Sequence, residues 1–220
     1  LKAVKRPAAD EVARVAVRGQ YAAGVVGGTA VPGYREEPGV SPDSTTETYA
    51  AVRLEVSNWR WAGVPFYLRT GKRLTRKLTE VAVTLRPVPH LVFAQSGSLG
   101  VRPDRLILSI DPDESTSLLM VAKIPGPSMR LRPVKMELPY RATFPSPSAD
   151  AYERLLFDVL RGDQTLFPGG DEVEAQWAVC EPILQAWEVD PQPPPLYVAG
   201  SQGPDEAASI LLDGHEWRRI

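Results

Sequence analysis

Over residues 49–56 the apolar side chains Val52, Leu54 and Val56 alternate with Arg53 and Glu55. A period of two predicts a strand with one buried and one wetter face. The pattern returns at Val64, Phe66 and Leu68, at Val81, Val83 and Leu85, and at Leu106, Leu108 and Ile110, and a further apolar group follows over residues 118–124. Residues 14–26 are small or β-favouring and run into the cluster Ala22, Ala23, Gly24, Gly27 and Gly28, which predicts a strand entering a turn. Residues 31–44 hold Pro32, Gly33, Pro38, Gly39 and Pro42 and read as a surface excursion. Over residues 129–138 the parity of Met129 and Leu131 gives way at Pro133 to that of Val134, Met136 and Leu138. A bulge or an edge position accounts for both the slip and the proline.

So many strands without long helices between them predict antiparallel pairing. Helices gather late in the chain. Asp150 and Glu153 have the spacing of a capping box, and Tyr152, Leu155, Leu156, Val159 and Leu160 fall on one helical stripe. A second helix is predicted from Asp171, with Asp171, Glu172 and Glu174 at its positive end and Val173, Trp177, Cys180, Leu184 and Trp187 facing inward. Pro182 should kink it. A third runs from Pro204 to near Gly214, and residues 191–195 must be an extended connector. The expected fold class is α+β: a large, mainly antiparallel sheet packed on one face by helices, with the helices concentrated in the C-terminal third.

Composition narrows this picture. A chain of 220 residues can bury one good core, and a single domain over residues 1–220 is expected. Its 22 prolines are roughly twice ordinary usage, which disfavours a mostly helical protein. The 25 basic residues nearly cancel the 27 acidic ones, so the net charge of −2 gives no general attraction to nucleic acid. No apolar window approaches the length of a membrane span, and the first residues do not resemble a signal peptide. The single cysteine, Cys180, fits a reducing, cytoplasmic setting and a role as a small buried hydrophobe. The chain begins with Leu1 rather than methionine, which suggests a fragment. Arginines outnumber lysines 19 to 6, and two of the six lysines lie in one short loop.

Several chemistries are missing. No G-x-G is present for a dinucleotide site. The Thr70-Gly71-Lys72 triplet fails as a phosphate loop because Phe66 stands where the first glycine is required and Arg73 where the hydroxyl is required. The two histidines, His90 and His215, are far apart and lack zinc-binding spacing; both read as ordinary surface residues rather than general bases. What remains is the segment Gly71-Lys72-Arg73-Leu74-Thr75-Arg76-Lys77, which sets four cations within six residues after a strand. It could hold an anion, although a basic run after a strand is more often a solvated loop.

The block 44–51, Ser-Thr-Thr-Glu-Thr-Tyr-Ala-Ala, and the block 58–74, from Asn58-Trp59-Arg60-Trp61 to Arg69-Thr70-Gly71-Lys72-Arg73-Leu74, resemble the carboxy-terminal domain of glucose-6-phosphate dehydrogenases. Arg18-Gly19-Gln20-Tyr21, residues 150–156 and Gly200-Ser201-Gln202-Gly203-Pro204 extend the resemblance in the family's order. The resemblance implies the C-terminal part of an enzyme that passes hydride from glucose 6-phosphate to NADP, or in some members NAD, giving 6-phosphogluconolactone in the oxidative pentose phosphate route. It implies that an amino-terminal domain absent from this chain binds the dinucleotide and supplies the histidine base, so no catalytic residue is expected here and the chain alone should be inactive. It further implies a homodimer or homotetramer formed through the sheet.

By position in the motif, Lys72 and Lys77 match the family's basic residues that contact glucose 6-phosphate. Asp111 falls where relatives commonly carry glutamine near the sugar; it either remodels that contact or merely begins the Asp111-Pro112-Asp113 turn. Tyr152 matches a residue near the cleft, but its place on an apolar stripe favours core packing. Animal members bind a second, structural NADP; here Leu78, Ser109, Ser117 and Leu119 cannot pair with phosphates, and Arg69 alone matches, so that site is expected to be absent. Trp59 and Trp61 read as packing residues. The alternative is a stand-alone dimerisation or regulatory module derived from the family, and a related sugar dehydrogenase with another substrate is disfavoured by the retained lysine pair.

Overall fold

A computed structural model describes residues 1–87, 103–128, 130–143 and 151–220. His90, Met129 and Asp150 lie outside the described residues, and with them one candidate histidine and the expected capping box. The chain divides into two compact units, the first formed by residues 1–76 and 151–220 and the second by residues 77–150.

In the first unit a short helix α1 (Val12–Val15) leads into strand β1 (Ala16–Ala22), followed by a small hairpin of β2 (Gly24–Val26) and β3 (Thr29–Val31). The proline- and glycine-rich excursion holds only a 3₁₀ turn, Tyr34–Glu36. Strands β4 (Tyr49–Glu55) and β5 (Pro65–Gly71) then form an antiparallel hairpin, and β4 also pairs antiparallel with β1.

The second unit is a four-stranded antiparallel sheet of β6 (Thr79–Thr84), β7 (Arg105–Asp111), β8 (Ser115–Lys123) and β9 (Leu131–Pro139), in that order, followed by a one-turn helix α2 (Tyr140–Thr143). Pro133 sits on the edge strand β9, and the β8–β9 register runs through it without a shift. The edge position therefore explains the proline, because an edge strand has a neighbour on one side only and tolerates a residue without an N–H. The irregularity in this sheet lies instead between Thr79 and Glu80.

The chain returns to the first unit with α3 (Ala151–Arg161) and α4 (Gly170–Glu188). A three-residue strand β10 (Leu196–Val198) pairs parallel with β1, giving the sheet order β10-β1-β4-β5. Instead of the third helix expected over residues 204–214, a 3₁₀ segment, Asp205–Ile210, follows Pro204. The fold is thus α+β, with mainly antiparallel sheets and the longer helices late in the chain.

The first sheet is covered on both sides. Tyr21, Tyr49, Ala51 and Tyr197 pack with Ala207 and Ile210 of the 3₁₀ segment. Val12, Ala16, Ile183 and Trp187 form the other cluster, with Ala50 and Val52 against it. In α4 the buried stripe is Val179, Ile183 and Trp187, while Trp177, Cys180 and Leu184 are exposed. Trp187 is buried as expected, whereas Val179 and Ile183, each one position earlier and about 100° around the helix, take the places expected of Cys180 and Leu184; α4 carries two apolar stripes, and its own periodicity cannot choose between them. Cys180 is accordingly not a buried hydrophobe. Tyr152 is not core either: it is 77% exposed, and Leu156, Val159 and Leu160 of the same α3 stripe are exposed with it. Among the described side chains of α3 the buried one is Asp158, which receives Arg154 from the preceding turn at 3.2 Å.

Candidate functional site

The basic segment begins at the last residue of β5. Gly71 is there because the Tyr49 ring lies across it: a Cβ at Gly71 would stand 2.7 Å from Tyr49 Cδ2. Gly203 also lies against this ring, where a Cβ would come within 2.5 Å of Tyr49 Cε2 at a φ of +105°. The side chain of Lys72 is exposed while its backbone is tied at both ends. The Lys72 N–H donates to the Thr48 carbonyl at 2.8 Å, and the Lys72 carbonyl accepts from the Tyr197 hydroxyl at 2.7 Å.

The next residue, Arg73, has φ +53°, the left-handed region that non-glycine residues rarely enter. Its carbonyl accepts from Gly200 N–H at 2.7 Å and its guanidinium pairs with Glu37 at 3.1 Å. Bonding to Glu37 raises the Arg73 pKa further, so the cation is fixed. Burial pushes the Tyr21 phenol up, and its hydroxyl donates to the same Glu37 carboxylate at 3.1 Å.

Lys77 and Asp111 belong to the second unit, where the structure brings them together: Nζ lies 3.0 Å from Oδ2. The pair joins the residue two places before β6 to the last residue of β7, with side chains 85% and 43% exposed. Asp111 also precedes Pro112 at the start of a turn, the second of the two roles that its sequence allowed.

Arg69 is engaged by the chain's own last residues. Its guanidinium lies 5.1 Å from the centre of the Trp217 ring and donates to the Arg218 carbonyl. His215 Nδ1 is 3.0 Å from the Tyr67 hydroxyl and exposed, with no acidic partner of its own among the described residues. No group of three or more potential metal ligands is found among the described residues. Trp61 packs edge-on against Phe66 at 5.2 Å, but Trp59 is fully exposed and is not a packing residue. A hollow of about 720 Å³ between Trp59, Trp61, Val64 and Leu212 lies at the far end of the β4–β5 hairpin from Lys72, where Glu55 faces Pro65.

The backbone ties around Lys72 are what sequence reasoning missed. Their signal was present only as motif: Arg18-Gly19-Gln20-Tyr21, Thr46-Glu47-Thr48-Tyr49 and the run before Gly203 supply the partners.

Residues 1–218 match the family described as "Glucose-6-phosphate dehydrogenase, C-terminal domain". The chain is 50% identical over 219 residues to the glucose-6-phosphate 1-dehydrogenase of Mycolicibacterium smegmatis, covering 99% of this chain and 44% of that protein. It is 45% identical over 221 residues to the enzyme of Rhizobium meliloti, with the same coverage. Among solved structures it superposes with TM-score 0.83 on a glucose-6-phosphate dehydrogenase in complex with its substrate glucose-6-phosphate, at 29% identity over 99% of this chain and 43% of that one. The enzyme from Mycobacterium avium superposes with TM-score 0.76 at 33% identity, over all of this chain and 42% of the relative. The chain thus spans under half the length of the relatives it matches, and it belongs to the glucose-6-phosphate dehydrogenase C-terminal domain family.

Proposed function

We propose that this chain is the substrate-gripping and dimer-forming part of a cytoplasmic glucose-6-phosphate dehydrogenase, which converts glucose 6-phosphate and NADP to 6-phosphogluconolactone and NADPH. The observation that carries the reading is the exposed Lys72 side chain on a backbone held at both ends, inside the motif shared with the family. Its ammonium supplies a point charge for the phosphate, and Lys77 supplies a second. Asp111 accepts from the Lys77 ammonium, so it orients that lysine and leaves lone pairs for a sugar hydroxyl.

The described residues do not fit the dinucleotide. The chain has no G-x-G, and α4 opens with Asp171 and Glu172, whose carboxylates repel a pyrophosphate from its positive end. Hydride and proton transfer are therefore assigned to polypeptide outside this chain, and NADP, or NAD, is bound there. The uncovered stripes Tyr152, Leu156 and Leu160 on α3 and Trp177 and Leu184 on α4 fit a chain that packs against such polypeptide. A second, structural NADP is not assigned, since Arg69 is committed to Trp217 and Arg218.

One sheet face supports self-association. The row Val83, Leu106, Leu118 and Met136 runs across all four strands of the second unit, beside the row Val81, Leu108, Thr116 and Leu138. Val81, Val83, Leu108, Met136 and Leu138 are exposed. We assign this face to a second copy of the chain.

The test is steady-state kinetics of the full-length protein carrying Lys72→Ala or Lys77→Ala. Loss of one charge-assisted phosphate contact of about 1.5–3 kcal/mol raises KM for glucose 6-phosphate roughly ten- to a hundredfold, with KM for the coenzyme unchanged. An unchanged KM in both variants removes the assignment.

A further inference from the structure

The loop that presents Lys72 has few ties of its own and is held from 125 residues away in sequence. Tyr197, 3% exposed on β10, donates its hydroxyl to the Lys72 carbonyl at 2.7 Å. The same hydroxyl meets Thr48 Oγ1 at 3.1 Å, and Thr48 Oγ1 accepts the Tyr21 N–H at 3.0 Å. The parallel pairing of Tyr21 with Tyr197 places these groups in register. Downstream the chain after β10 continues the hold. Gly200 N–H donates to the Arg73 carbonyl, and the Ser201 carbonyl accepts from Thr75 N–H at 3.0 Å. Gln202 Nε2 donates to Thr75 Oγ1 at 2.8 Å.

A left-handed residue such as Arg73 persists only where its surroundings over-determine it, and these contacts are such surroundings. A lysine on a free loop would have to be ordered by its ligand at the expense of affinity, whereas one on a fixed backbone spends that order in advance. We propose that Tyr197 is a positioning residue for substrate binding, acting through the Lys72 backbone, with Thr75 and Gln202 holding the far side of the loop. The inference rests on the assignment of Lys72 to glucose 6-phosphate made above.

The experiment uses the full-length protein with Y197F, T75V, K72A and the double variant Y197F/K72A. Phenylalanine keeps the ring that packs on Tyr49 at 5.6 Å and removes only the hydroxyl. Thr75 is exposed, so T75V probes the same clamp without entering the core. Y197F is expected to raise KM for glucose 6-phosphate about three- to tenfold, and T75V about twofold, with kcat and the coenzyme KM held. In the K72A background Y197F should then add nothing to KM, because the two act through one contact. A general loss of structure would instead lower kcat or melting temperature and would be additive with K72A.

If K72A raises KM while Y197F and T75V do not, positioning is overturned and the substrate assignment stands. Equal effects of Y197F in the parent and in K72A overturn positioning in the same way. If K72A leaves KM unchanged, or the full-length protein does not oxidise glucose 6-phosphate, the substrate assignment fails and this inference falls with it.

Discussion

The Arg18 guanidinium donates to the Trp187 carbonyl at 2.7 Å, tying the first sheet to the end of α4. A second nitrogen donates to the Gln192 carbonyl at 2.7 Å and lies 3.3 Å from Asp190, so one buried cation satisfies the turn that leaves the helix. Cations at a helix C-terminus are favoured by the exposed carbonyls there, and burial strengthens the effect.

Replacing Arg18 by methionine keeps the aliphatic stem and strips the donors from two carbonyls. The expected cost is about 2–4 kcal/mol, since buried acceptors lose their partners and helix and sheet lose their tie. Chemical denaturation of the full-length protein measures it. A change below about 0.5 kcal/mol would mean that water replaces the guanidinium without loss.

Gly203 predicts a second effect on the same unit. Alanine there would press its Cβ to 2.5 Å from Tyr49 at a φ of +105°, so steric and backbone strain add. G203A should cost about 2–3 kcal/mol in thermal or denaturant unfolding. Combining it with Y49L should be less than additive, because the clash disappears with the ring. Full additivity would place the strain elsewhere.

These two contacts also show what the sequence could disclose. The strands β4 to β9 were legible because each alternates over several residues or, in β8, forms a short continuous apolar run, and pairs antiparallel with a near neighbour. Strand β10 was not, because three residues after a proline run carry no period, and its parallel partner Tyr21 lies far back in the chain. The motif named Lys72, Lys77 and Asp111 as candidates. The pairing of Lys77 with Asp111 and the grip of Tyr197 on Lys72 were not, since one is a side-chain geometry and the other ends on a backbone carbonyl that every residue possesses. The exposed apolar residues of α3 and α4 misled for a related reason: a stripe predicts that something covers it, not that this chain does.

The tyrosine cluster predicts an alkaline limit. Burial raises the phenols of Tyr49 and Tyr197, partly opposed by Arg69 beside the first and by the Thr48 hydroxyl at the second; burial and Glu37 raise Tyr21. A raised folded pKa means that the folded chain holds more protons than the unfolded one once pH passes the ordinary tyrosine value of about 10. The stabilisation is therefore complete below about pH 10 and falls as pH rises from there through the folded values. Denaturation midpoints measured from about pH 8 to 11 should decline above about pH 10, and Y49F should decline less steeply. Parallel curves for the two proteins would remove Tyr49 from the cause.

The exposed row on the second sheet gives the last expectation. In an isologous contact each residue appears twice across the dyad, so one substitution places two like charges in one interface. Met136 stands on the edge strand β9 directly opposite Leu118, and its side chain is 55% exposed within the single chain, so glutamate there costs the isolated fold little. In a dimer built on this face the same change buries two carboxylates among Val83, Leu106 and Leu118 with no cation in the row to pair them. Full-length M136E should therefore lose half its molar mass in light scattering while its far-ultraviolet dichroism stays that of the parent. Glu137→Gln, on the opposite face beside Lys135, should leave the mass unchanged. If M136E associates as the parent does, the apolar row is not the contact, and the dimer must be sought on another surface.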